Sequence, residues 1–148
     1  MKTVAITLVL CFVAPMAFAK PTTCRSWQGM EVPYLGDVTL ETLGGAQLDR
    51  AGRPIILLNP DMLNTFSPLA REFWLAHTCG HHALTPQYNN EEEADCFAMR
   101  SLGKKKIRAD EKWESLFEEL HALPNGSWPE HQPDTARIEA LRNCEVPD

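Results

Sequence analysis

The chain has 148 residues, 14 lysines and arginines against 20 aspartates and glutamates, and a formal net charge of −6. That length suits one domain with a buried core and leaves no room for a second. The acidic balance argues against a nucleic-acid partner, because binding phosphates requires a basic face.

Residues 1–19 read as a signal peptide, with Lys2 as a basic start, an apolar run over residues 4–14, and Ala17-Phe18-Ala19 as a small-x-small cleavage site. The run is too short to span a membrane, and Leu10 before Cys11 makes a poor lipoprotein signal. The expectation is an exported soluble protein, periplasmic or secreted, whose single domain occupies residues 20–148.

Residues 24–58 are strand-like. Apolar runs at 38–43 and 55–58 are broken by Gly44-Gly45 and by Ala51-Gly52-Arg53-Pro54, which predicts a small antiparallel sheet. Asn59-Pro60 ends the second run, since proline cannot continue a ladder. Ser67-Pro68 then starts a helix: the serine can cap free amides, and proline suits the first turn, where its missing N–H costs nothing. This helix is predicted to reach about residue 83, with Leu69, Phe73, Ala76, Gly80 and Ala83 as its apolar stripe and His77 and His81 on an adjacent row.

Residues 84–90 form a turn, and Asn90 caps a helix predicted over 91–102. Lys104, Lys105 and Lys106 follow Gly103 and read as a solvated helix end, favoured by the helix dipole. A helix over 110–122 would bury Trp113, Leu116, Phe117 and Leu120 and stop at Pro124-Asn125-Gly126. A last helix over 134–143 would bury Ile138 and Leu141. The fold class is therefore α+β, a small antiparallel sheet followed by a helical core.

Four cysteines lie beyond the signal peptide: Cys24, Cys79, Cys96 and Cys144. An even number in an exported chain favours two disulfides, with three pairings open. The favoured pairing is Cys24 with Cys144, tying the chain ends, and Cys79 with Cys96, stapling two helices. The competing reading puts Cys79, His82 and Cys96 in a structural zinc site.

Chemistry concentrates in His77-Thr78-Cys79-Gly80-His81-His82. Residues four apart on a helix overshoot a full turn by only about 40°, so His77 and His81 share a face and can reach one metal ion. Glu91 beside them completes a His₂Glu set, the three-ligand arrangement of catalytic zinc. Asp95, one turn after Glu91, would accept the outer N–H of a ligand histidine, or else pair with an arginine such as Arg100. Glu92 and Glu93 read as solvated, as does His121. His82 lies about 140° around the helix from His77, off the metal face.

These residues resemble the gluzincin metallopeptidases of the HtpX, CAAX prenyl protease and BepA type, whose pattern is H-E-x-x-H followed by E-x-x-x-D. Ala94-Asp95-Cys96-Phe97-Ala98 looks like that family's A-D-x-x-A stretch, and His131-Gln132-Pro133 with Arg137-Ile138 and Leu141 looks like its H-P-P…R-I…L segment. The resemblance covers roughly residues 55–144. It implies a zincin-like core (a minimal gluzincin), a Zn2+ cofactor on His77, His81 and Glu91, and His131 at the rim as an auxiliary group. It also implies that Leu57-Leu58-Asn59 is an edge strand lying along an extended peptide substrate.

Thr78 stands where the family has the glutamate that takes a proton from the attacking water, Gln132 replaces a proline, and the membrane helices of many relatives are absent. The expected function is an exported, zinc-binding metallopeptidase-like protein with weak or lost proteolysis, binding peptide or unfolded protein segments. The alternatives are an active zinc metalloendopeptidase using another base, and a disulfide-stapled interaction domain without metal.

Overall fold

Cys24–Arg25 (β1) and Glu31–Val32 (β2) pair antiparallel around the turn at residues 26–30. The computed structural model describes residues 23–103, 110–122 and 135–145. The expected signal peptide, Lys104 to Lys106, Pro124-Asn125-Gly126 and His131 lie outside them.

A second sheet has the order β3-β5-β4, from Tyr34–Gly36 (β3), Gly44–Leu48 (β4) and Pro54–Leu58 (β5). β4 and β5 are antiparallel, as expected, while β3 joins the other side of β5 in parallel. Two strand expectations need correction. Residues 38–43 are turn and bend, and the strand begins at Gly44, a residue expected to break it. Gly44 is in β4 because only glycine fits there: its φ is +108°, and a β-carbon would lie 2.0 Å from the Leu57 carbonyl oxygen. The second correction concerns the edge: β5, with Leu57-Leu58, is central, and β4 carries the free edge.

Asn59 does more than end β5. Its side chain accepts from the amides of Asp61 and Met62, capping the short helix Pro60–Leu63 (α1), and donates to the Leu40 carbonyl at 2.8 Å. Ser67 caps Pro68–Ala83 (α2) by accepting from the Ala70 amide, with Pro68 in the first turn. Asn90 caps Glu91–Gly103 (α3) through the Glu93 amide. Asp110–Ala122 (α4) buries Leu116, Phe117 and Leu120, and Thr135–Ala140 (α5) with the 3-10 turn Leu141–Asn143 buries Ile138 and Leu141.

α2 is the central element. Every residue from 73 to 80 is buried, so this stretch is enclosed all round rather than along one stripe. Phe73, Trp74, Ala98, Met99, Leu116 and Ile138 form the main core, while Cys24, Val32, Ile56 and Cys79 form a smaller one under the sheet.

The cysteines form two disulfides, but not in the expected pairing: Cys24 joins Cys79, and Cys96 joins Cys144. The reason is which side of each helix faces what. The turn after β1 sits on the end of α2, with the Trp27 amide donating to the His82 carbonyl at 2.8 Å, which seats Cys24 beside Cys79. On α3, Ala94 and Phe97 meet Gly80 of α2. Cys96 is about 200° around that helix from Ala94, turned from α2 toward the C-terminal turn. With both cysteines so engaged, the structural zinc site of Cys79, His82 and Cys96 is ruled out.

Candidate metal centre

α2 and α3 bring His77, His81 and Glu91 together, with one ligand atom from each lying within 4.8 Å of the others. The two histidine rings meet edge to face, their Nε2 atoms 3.2 Å apart. Glu91 places one oxygen 3.4 Å from Nε2 of His81 and the other 3.5 Å from Nε2 of His77. The group can hold a metal ion.

The outer nitrogens decide what the inner ones offer. Nδ1 of His77 lies 2.7 Å from Oδ1 of Asp95, and Nδ1 of His81 lies 2.8 Å from Oδ1 of Asn89. Carboxylate and amide oxygens only accept, so each Nδ1 carries the hydrogen. In a neutral imidazole, Nε2 is then a bare lone pair. Two lone pairs and a carboxylate therefore converge with no hydrogen between them, an arrangement that repels itself and suits a cation.

The titration of these groups agrees. Burial holds His81 below its ordinary 6.5, which keeps its ring neutral near pH 7. Burial alone would raise the carboxyl of Asp95. Hydrogen bonds from His77 and Arg137 outweigh it and bring the group below its ordinary 3.8. Asp95 is thus a fixed anion behind His77 that accepts its outer N–H.

Its arginine partner is not Arg100 but Arg137, on α5, which donates from Nε to Asp95 Oδ2 at 2.5 Å and from Nη2 to Oδ1 at 2.9 Å. The same Nη2 is 2.8 Å from Glu91. Sequence alone assigns neither Arg137 nor Asn89 a role in the site. Arg137 lies in the later segment that carries the family resemblance, a signal that was available, whereas nothing marked Asn89 beyond its place in a polar turn.

Thr78 is buried beside the histidines, and its hydroxyl donates to the Trp74 carbonyl one turn back at 2.9 Å. His82 donates from Nε2 to the Ile55 carbonyl at 2.9 Å, so it braces α2 against β5 and is not a ligand. Glu92 is exposed, and Glu93 is half-buried.

The histidines open into a cleft of about 750 Å³ whose lining includes Gly44, Gly45, Ala46, Thr78 and Asn90. One wall is the free edge of β4. The Asn59 amide bonds the Leu43 carbonyl and the Asp49 amide bonds the Arg53 carbonyl, which fixes the alternation of the ladder. Leu43, Gly45, Gln47 and Asp49 bond toward β5, and Gly44, Ala46 and Leu48 turn their N–H and C=O groups to the open side. Apart from the histidines, Glu91 is the one ionisable side chain lining the cleft among the described residues.

No protein-family model, curated protein or solved structure matches the chain.

Proposed function

We propose that this chain is an exported zinc-binding protein of the gluzincin metallopeptidase type, with weak or no peptidase activity, that holds extended peptide along β4. The observation that carries the reading is the convergence of two histidine lone pairs and Glu91, with Asp95 fixing His77 from behind. Two imidazoles and a carboxylate are a donor set that suits zinc. Bound there, zinc supplies Lewis acidity to a carbonyl that reaches it.

Thr78 separates binding from turnover. A hydroxyl does not act as a base near neutral pH, and its hydrogen is engaged by the Trp74 carbonyl. General-base catalysis is typically worth about 10² to 10⁴ in rate. Proteolysis is accordingly slow or absent, while ligand geometry is untouched.

The free edge of β4 supports the peptide reading, since unpaired N–H and C=O groups recruit another extended chain. Apart from the metal-site groups, the cleft lining carries no charged side chain among the described residues, which suits uncharged stretches of an unfolded segment. Export is supported by two disulfides, which persist in oxidising compartments.

Ala46→Pro tests the peptide half. It removes one outward N–H while sparing the groups that bond β5. The variant should keep its zinc and lose affinity for an uncharged extended peptide; unchanged affinity would contradict docking on this edge. A reading without metal rests on Arg137, whose contact with Glu91 at 2.8 Å balances that carboxylate by itself. Zinc stoichiometry separates the two.

A further inference from the structure

We infer that Arg137 is a positioning residue of the metal site: its guanidinium holds Glu91 turned toward the histidines and fixes Asp95 behind His77. The inference rests on the zinc reading above and assigns a role to a residue from a different helix, 42 positions along the chain from Asp95.

The geometry is that of a fork. Nε and Nη2 take the two oxygens of Asp95, and Nη2 also reaches Glu91. The two carboxylates lie four residues apart on one face of α3 and repel each other, so each gains from a cation between them. The Asp95 side chain is only 5% exposed, whereas that of Glu91 is 34% exposed and has water to turn to. Without Arg137, Asp95 would keep His77 as partner, but nothing among these contacts would stop Glu91 from swinging out of the site. The Cys96–Cys144 disulfide ties the turn after α5 to α3, and so keeps Arg137 over both carboxylates.

Two effects of Arg137 on a bound dication oppose each other. Its charge repels the ion, and its fork preorganises a ligand and an orienting group. Losing a group that orients metal ligands typically costs about 10- to 100-fold in affinity. The guanidinium is engaged with both carboxylates, which already absorb its charge, so positioning outweighs repulsion. Lysine supplies the charge as a point and cannot span both carboxylates.

The test is zinc affinity by chelator competition for wild type, Arg137→Gln and Arg137→Lys, together with the visible spectrum of each protein loaded with cobalt(II). Thermal melts and disulfide mapping establish that the variants are folded, and Arg137→Lys carries the test if Arg137→Gln does not fold. The expected result is zinc binding at least about tenfold weaker in Arg137→Gln, only partial recovery in Arg137→Lys, and an altered cobalt spectrum as Glu91 is released. A purely structural role would leave the spectrum of the folded variants unchanged. Equal or tighter zinc binding in Arg137→Gln, or full recovery in Arg137→Lys, would overturn the inference. Failure of wild type itself to bind zinc would instead overturn the zinc reading.

Discussion

Gly80 on α2 lies so close to Ala94 on α3 that a β-carbon at position 80 would sit 3.1 Å from the Ala94 Cα and 3.3 Å from its carbonyl oxygen. This contact sets the spacing between the helix that carries the histidines and the helix that carries Glu91. Alanine in a helix gains roughly 0.5–1 kcal/mol over glycine, while overpacking of this kind costs roughly 1–3 kcal/mol. Overpacking wins, because the opposing atoms are backbone and yield poorly. Gly80→Ala should lower stability by about 1 kcal/mol in denaturant unfolding and weaken zinc binding as Glu91 moves away.

Asp95→Asn removes the charge that faces Nδ1 of His77 and the fork of Arg137. The expected loss in zinc affinity is about 10- to 100-fold, measured by competition with a chelator. An unchanged affinity would show that His77 needs no anion behind it.

Thr78→Glu restores a carboxylate at a position that lines the cleft. Hydrolysis of an unfolded protein substrate should rise by about 10² to 10⁴ over wild type, with zinc content preserved. Wild type cleaving as fast as the variant would remove Thr78 as the cause of low activity. Thr78→Ala, by contrast, should bind zinc as wild type does.

Acid should destabilise the metal-free protein in two windows. His81 titrates below its ordinary 6.5 when folded, so the unfolded chain binds the proton first. Stability from that group is complete above 6.5 and falls as pH drops through its folded value. Asp95 repeats the pattern below its ordinary 3.8, since His77 and Arg137 hold its folded value down. Unfolding free energy of the metal-free protein against pH should decline in both windows; a flat profile between pH 7 and 5 would contradict the neutral, half-buried His81.

Much of the helical half is legible because its signals are local. Ser67 and Asn90 cap the helices they precede, and Pro68 follows the first cap directly. The sheet is less legible because strand order is a long-range property. The run 55–58 shows apolar character but not whether it sits between neighbours, and the edge role that the resemblance implies for it fails because β3 and β4 flank β5. Gly44 misleads for a different reason: a glycine suggests a break unless the Leu57 carbonyl pressing on it is known. The pairing of Cys24 with Cys79 depends on which side of α2 faces β1, which spacing does not encode. Within the site, the i,i+4 pairs His77/His81 and Glu91/Asp95 are visible in sequence. Arg137 is marked only by its place in the segment that carries the resemblance, since charge pairing read locally favours Arg100 over a partner on another helix.

Whether His77, His81 and Glu91 hold zinc is decided by the zinc content of the purified, reconstituted protein, by elemental analysis beside His77→Ala and His81→Ala. His77 is fully buried and its removal could disturb the core, whereas the His81 side chain is 21% exposed and gives the cleaner comparison. The account predicts about one zinc per wild-type chain, lost in both variants while His81→Ala stays folded. No stoichiometric zinc in wild type, or full retention in His81→Ala, would contradict it.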